Sequence, residues 1–475
     1  MKNLLAFAGL IVLGSVLLSV TASAPSAAPA ATPLSAHQEP RGVGHLVAPG
    51  DRIEIAYGID TPGVEAATGS LYVRNDVKQG FERVPLKREK RLASGLQAAV
   101  PGRLLRGHKL LYYAVIRDPK SGRSVTVPAT GAAAPQSAWI VEKPVNVRLG
   151  THRFGHTRAA EAVVARVGPE QVGWQTEGDV FGPETFLVGR DRSIWLDDGL
   201  NSRLLGWQPG RPNAVARSVP LPYGSTDGDV ALGPESTLYV TGGAGRGPLY
   251  HRVLYQLSAA GEVRWQSRLA GGLDESTSFV LGANSPLRAG PDGTLYCLAG
   301  MPGLIGGERG WMPVATPDGR PLSAAEQRRR THWPYQQVAG GLRLLSEVYT
   351  AANVDAAARE ARFALIDSRG RVVRAWRVVS RTDINFNYTT PELVGGDPVV
   401  VLDATAGRPP NFKWEYVVLR LGSHGTRARF SLRRTVYGDN LLADVRVGPD
   451  GKLYQLDSSP TSGVTISRYS LRPVS

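Results

Sequence analysis

Between residues 43 and 142 apolar and polar side chains alternate in short runs, at 52–57, 70–73, 81–86, 109–116 and 124–127. A period of two is the pattern of a strand with one buried face, and the Gly, Pro and Asp clusters between the runs read as turns. About seven such strands in ~100 residues is the count of a β-sandwich. Residues 43–142 are therefore expected to form one.

From about residue 160 the same short strands continue, organised by a repeat. Gly233-Pro234-Glu235-Ser236-Thr237-Leu238-Tyr239, Gly290-Pro291-Asp292-Gly293-Thr294-Leu295-Tyr296 and Gly448-Pro449-Asp450-Gly451-Lys452-Leu453-Tyr454 are three copies of one strand-turn-strand unit. Weaker copies stand at Gly189-Arg190-Asp191-Arg192-Ser193-Ile194-Trp195 and at Gly396-Asp397-Pro398-Val399-Val400-Val401. The first glycines are separated by 44, 57, 106 and 52 residues, so one copy is missing from the long interval, and residues 342–350 fill it. A second turn recurs in phase, at Gly261, Gly319, Gly370 and Gly425, with intervals of 58, 51 and 55. Two turns sharing one period give two hairpins per unit. Six units of four antiparallel strands predict a six-bladed β-propeller over 161–475. The last unit ends without room for its second turn and outer strand. Residues 163–172 have the composition of the missing hairpin, and pairing it with the final unit would remove two exposed sheet edges.

The chain is thus predicted to be all-β, an N-terminal β-sandwich followed by a six-bladed β-propeller. Leu110-Leu111-Tyr112-Tyr113-Ala114-Val115 resembles the central strand of fibronectin-type or immunoglobulin-like domains. The Gly-Pro-Asp-Gly-x-Leu-Tyr units, with Trp195-Leu196-Asp197 running into Asn201-Ser202-Arg203-Leu204, resemble NHL-repeat and gluconolactonase-like six-bladed propellers. That second resemblance implies an architecture shared by lactonases, lyases and purely binding proteins. In the enzymatic members it implies a calcium ion in the central channel, held by acidic and amide side chains from inner strands.

Carried over position by position, the lactonase-like pattern is incomplete. Phe181 stands where a Glu is wanted before Gly182-Pro183, and later units offer Gly228-Asp229, Ser285-Pro286 and Ala443-Asp444. Only Asp229 and Asp444 supply oxygens. They face either the channel, where two carboxylates could bind a cation or act as acid and base, or the neighbouring blades, where they would accept backbone hydrogen bonds. A calcium ion usually takes six or more oxygen ligands, so no cofactor is expected. Asp197 and Asp457 read as turn or blade-to-blade hydrogen-bonding residues. His152 and His156 read as solvated residues of an interdomain segment, 143–160. Arg328-Arg329-Arg330 belongs to the longest insertion, either a recognition loop or a solvated excursion. No His-Glu-x-x-His, no Gly-x-Ser-x-Gly and no phosphate loop occurs.

Charge adds one feature. The net charge is +14, carried by 46 Arg and 9 Lys, and eleven basic residues against three acids fall within 82–123. Arg83, Lys87, Arg88, Lys90 and Arg91 lead that run. They suit an anionic envelope polymer or lipid headgroups, or simply form a solvated face; no nucleic-acid-binding signature accompanies them. The single cysteine, Cys297, excludes an intramolecular disulfide and a cysteine-based metal site.

The N-terminus sets the compartment. Lys2, an apolar run from residue 4 to 20, and Ala22-Ser23-Ala24 have the order of a secretory signal, 1–24, either cleaved or kept as an anchor. Residues 25–42, rich in Ala and Pro, are expected to be an extended linker. Together these features predict a secreted or envelope-associated, non-enzymatic binding or scaffolding protein, whose partner is an unidentified protein or envelope polymer. The alternative is a divergent metal-dependent hydrolase or lyase of the gluconolactonase-like group.

Overall fold

The computed structural model describes residues 33–38, 45–89, 95–177, 182–183, 185–221, 229–233, 237–244, 251–258, 260–269, 287–300, 309–330, 335–349, 358–386, 391–408, 411–434 and 444–472. The chain is all-β, and its strands form eight separate sheets among the described residues. The signal segment, Lys90, Arg91, Phe181, Ser285, Pro286 and Ala443 lie outside them.

Two sheets make the N-terminal domain. One orders Ala36–Gln38, Glu54–Ile59, Gly95–Ala99 and Lys87–Glu89; the other orders Leu46–Val47, Gln136–Ile140, Lys109–Arg117, Thr68–Asn75 and Glu82–Pro85, with Ser124–Val127 also on Lys109–Arg117. Alternation in Lys109–Arg117 turns Leu110, Tyr112, Ala114 and Ile116 inward, where they share one core with Ile55, Tyr57 and Leu96 of the facing sheet. The chain crosses from one sheet to the other at buried Leu86. The expected linker 25–42 is interrupted, because Ala36–Gln38 pairs antiparallel with Ile59, Gly58 and Tyr57 and extends the first sheet.

Six further sheets follow the repeat. The first contains Phe186–Val188, Ile194–Asp198, Arg203–Trp207 and Val215–Pro220; the second Val230–Leu232, Leu238–Ala244, His251–Leu257 and Val263–Arg268. The third contains Leu287–Ala289, Leu295–Gly300 and Arg309–Ala315; the fourth Tyr335–Val338, Leu342–Tyr349, Glu360–Ile366 and Val372–Ser380. The fifth is built on Glu392–Val394, Asp397–Ala406, Lys413–Gly422 and Gly425–Arg433, with Asp383–Phe386 added; the sixth on Val445–Val447, Leu453–Ser459 and Gly463–Tyr469.

Three departures from the sequence pattern have local causes. In the third sheet the turn at Gly319 leads to a helix, Ala324–Arg330, rather than to an outer strand. Ser323 and Glu326 form a reciprocal cap there: the Ser323 amide donates to Glu326 Oε2 at 2.9 Å and the Glu326 amide to Ser323 Oγ at 3.3 Å. The triple arginine is the last turn of that helix. In the segment 143–160, Val145–Gly150 pairs in parallel with Val372–Ser380 as a fifth strand of the fourth sheet. His152, expected to be solvated, is buried, with Nε2 2.8 Å from Glu415 Oε2. Lastly, Ala162–Val167 supplies the fourth strand of the sixth sheet, antiparallel to Gly463–Tyr469. It brings one strand rather than a hairpin, since Pro169 starts a 3₁₀ turn.

Apolar side chains from alternate positions join successive sheets, except the third and fourth, which share no core cluster among the described residues. One cluster joins the first and second sheets, another the second and third, another the fourth and fifth, and another the fifth and sixth. A further cluster joins the sixth sheet and Ala162–Val167 to Phe186, Ile194, Leu196 and Trp207 of the first. The remaining face of the fourth sheet, Leu345, Ala364, Ile366 and Ala375, is covered by Leu46, Trp139 and Val141 of the N-terminal domain. The N-terminal domain thus covers the face of the fourth sheet opposite the fifth. Arg362 anchors this junction, reaching Asp51 with both terminal nitrogens and the Leu46 carbonyl at 3.1 Å.

Candidate functional site

The short first strands of the repeat sheets carry the chemistry. Phe186–Val188, Val230–Leu232, Leu287–Ala289, Glu392–Val394 and Val445–Val447 all contribute to the wall of one cavity of about 740 Å³. It reaches the turns at Gly233, Gly290 and Pro449. This is the size of small-molecule sites.

Thr185, Asp229 and Asp444 occupy one structural position. Each immediately precedes a first strand, and the carbonyl of each accepts from the second strand, from Asp197, Thr241 and Leu456 respectively. Asp229 is fully buried. Its Oδ1 accepts from Thr185 Oγ1 at 2.7 Å and from Arg446 Nη2, and its Oδ2 accepts from the Leu287 amide at 2.7 Å. One carboxylate therefore ties the first, second, third and sixth sheets together. Asp444 is also buried, and its Oδ2 accepts from the Tyr416 hydroxyl of the fifth sheet. Burial and the Asp444 carboxylate push the Tyr416 phenol well above its ordinary pKa. Both aspartates face neighbouring sheets, and they spend these oxygens on different partners. Among the described residues, no three His, Cys, Asp or Glu side chains converge as a metal cluster.

Two arginines that the sequence reading passed over dominate the cavity. Arg288 and Arg446 are the middle residues of Leu287–Ala289 and Val445–Val447, each two positions before the glycine that opens the turn. Arg288, with a side chain only 10% exposed, pairs through Nη2 with Glu392 Oε2 at 2.7 Å. Its Nε and Nη1 are buried and make no hydrogen bond among the described residues, nor does Nε of Arg446. Burial lowers the Arg288 pKa against the pull of Glu392, and burial raises that of Glu392 against the pull of Arg288 and Arg446. Arg190 and Arg217 also line the cavity and are exposed. The signal was an arginine flanked by two apolar residues in a three-residue strand, repeated in two of the three full copies.

Asp197 departs from its expected hydrogen-bonding role. Strand alternation gives that role to Asp198, whose Oδ1 accepts from the Gly173 amide at 2.8 Å and whose Oδ2 accepts from Arg203 at 2.8 Å. Asp197 Oδ1 is buried without a partner among the described residues, and burial, with Asp229 and Asp198 nearby, pushes its pKa well above the aspartate range. Asp457 is exposed.

The basic run is divided. Arg83 lies in Glu82–Pro85 and Lys87 and Arg88 in Lys87–Glu89, on either side of the crossover at Leu86; Arg83 Nε donates to Ser70 Oγ at 2.8 Å, while Lys87 and Arg88 are exposed. Arg103 pairs with Glu82. Lys109 turns toward the fourth sheet, its Nζ 5.6 Å from the Trp139 ring centre. No described helix is long and apolar enough to cross a membrane.

No family model matches this chain, and no curated protein matches it.

Proposed function

We propose that this chain is an exported or envelope-associated, non-enzymatic binding protein, in which an immunoglobulin- or fibronectin-like sandwich precedes a six-bladed β-propeller of the NHL-repeat and gluconolactonase-like kind. The run of packed sheets supports the propeller, because the sixth sheet and its added strand share a core with the first. The observation that carries the functional reading is the state of Asp229. Both of its oxygens are taken by protein donors from neighbouring sheets, so the carboxylate nominated for channel chemistry acts as a brace. A cavity walled by short inner strands is then left as a binding surface, and the exposed basic residues Lys87 and Arg88 offer a second contact to anionic envelope material.

The test is a pair of measurements on the purified full chain. Thermal melts with micromolar calcium are expected to show no shift, and assays with simple lactones no hydrolysis above background. A shift of many degrees that Asp229→Ala abolishes, or turnover that the same substitution abolishes, would put the metal-dependent hydrolase first. N-terminal sequencing of the protein recovered from the culture medium and envelope fraction tests export.

A further inference from the structure

We infer that the cavity is an anion site, in which Arg288 and Arg446 hold a small molecule bearing a carboxylate or phosphate group, with Arg190 and Arg217 adding to the charge of the wall. The inference deepens the binding-protein reading by naming the chemistry of the ligand. Four arginines line the cavity against two acids, Asp191 and Glu392. Asp191 is engaged by Ser193, whose amide and hydroxyl donate to its Oδ1 at 3.0 and 2.6 Å. Glu392 answers one nitrogen of Arg288 and leaves two buried donor nitrogens unanswered. Arg446 is oriented by Asp229 and Thr185 through Nη2 alone, the Thr185 contact being 3.1 Å.

Four guanidinium groups against two acids, one of them engaged by Ser193, leave the wall electropositive, and an oxyanion is the partner whose charge and geometry suit a guanidinium fork. The Nε and Nη1 of Arg288 are closed off from the cavity and come within reach of a ligand only when its side chain turns away from Glu392. The two arginines are fixed differently, one by an acid at the cavity wall and one by a fully buried brace. Glu392 therefore competes with any incoming anion for Arg288, whereas Asp229 holds Arg446 in place. The competitor gives the proposal a test whose expected sign is a gain, which misfolding would not produce.

The experiment titrates the full chain with inorganic phosphate and, separately, with citrate, at ionic strength held constant with sodium chloride, and follows melting temperature and calorimetric heat. Both probes are expected to stabilise the wild type at millimolar concentration, since binding to the folded state alone raises stability with ligand concentration. Glu392→Gln is expected to melt lower without ligand and to bind about tenfold tighter. Arg288→Gln is expected to lose binding about tenfold or more, and the exposed pair Arg190→Ser with Arg217→Ser to weaken it severalfold with the unliganded melting temperature unchanged. Preference for phosphate over citrate, or the reverse, assigns the ligand class. No stabilisation by either probe beyond the chloride control, or equal affinity in wild type, Glu392→Gln and Arg288→Gln, overturns the anion site. That failure leaves the binding-protein reading standing, which falls instead to a calcium shift or lactone turnover that Asp229→Ala abolishes.

Discussion

The indole Nε1 of Trp139 donates to the carbonyl of Gly370 at 3.1 Å, joining the sandwich strand Gln136–Ile140 to the second turn of the fourth repeat sheet. Trp265 makes the same bond to Gly319 of the third sheet at 2.8 Å, and Trp376 to Gly422 of the fifth at 2.7 Å. Trp139 thus docks the N-terminal domain on the fourth sheet as a repeat sheet docks on its neighbour. Replacing a buried tryptophan by alanine costs about 3–5 kcal/mol. Trp139→Ala is expected to split the calorimetric unfolding profile, with the sandwich uncoupled, and Trp139→Phe to cost only about 1 kcal/mol for the lost donor.

The Asp51–Arg362 pair gives a second handle on the same junction. Arg362 is nearly buried, and Glu360 also contacts its Nε at 2.6 Å. Removing one partner of a buried pair costs about 3–5 kcal/mol, because the other charge is stranded. Asp51→Ala should fall toward the lower end, since Glu360 remains, and limited proteolysis should then cleave between the two domains.

Closure of the sixth sheet can be probed at Gly463. Its φ of +78° already favours glycine, and an added Cβ would lie 2.2 Å from the Val167 carbonyl oxygen on the closing strand. Gly463→Ala is expected to cost on the order of 3 kcal/mol or more by displacing Ala162–Val167. Gly210→Ala supplies the control, with φ +79° and nothing within 4 Å, and should cost only the left-handed backbone penalty of roughly 1–2 kcal/mol. Denaturant midpoints separate the two.

Asp229→Ala should destabilise by about 3–5 kcal/mol, since it strands the Arg446 charge and the Leu287 amide inside the protein. Calcium is expected to leave the melting temperatures of both wild type and variant unchanged, a result read directly from paired melts.

Asp197 sets a pH dependence with a definite sign. Its folded pKa is raised well above the ordinary 3.8, so between that value and the raised one the folded state binds more protons than the unfolded state. Its contribution to stability is fully present below pH 3.8, and it is lost as pH rises through the folded pKa. Asp197→Asn removes the need to bury a charge and should add about 1–3 kcal/mol at pH 7. It should also flatten the decline across that window, as measured by urea unfolding at a series of pH values. A variant less stable than wild type at pH 7 would contradict the assignment.

Much of the all-β organisation is legible in the residues, because strand alternation and turn chemistry are local. The Gly-Pro-Asp-Gly turns, the second turn in phase with them and the alternation of Lys109–Arg117 each follow from a few neighbouring side chains. Even the helix Ala324–Arg330 is written locally, in the Ser323–Glu326 cap and helix-forming residues, although the β repeat around it masks the signal. Which partner a side chain meets across the fold is not local. Asp229 meets Arg446 from 217 positions away, Trp139 meets Gly370 from 231, and Val145–Gly150 joins Val372–Ser380 in a sheet to which its own sequence makes no reference. Chain sequence determines which face of a strand is apolar; only the packing of sheet on sheet decides whether a charged residue on it is braced, orphaned or turned toward a cavity, because that depends on groups the fold brings from elsewhere. Arg288 and Asp229 look alike as single charges beside apolar residues of short strands, and the tertiary structure made Asp229 a brace and set Arg288 in a cavity wall.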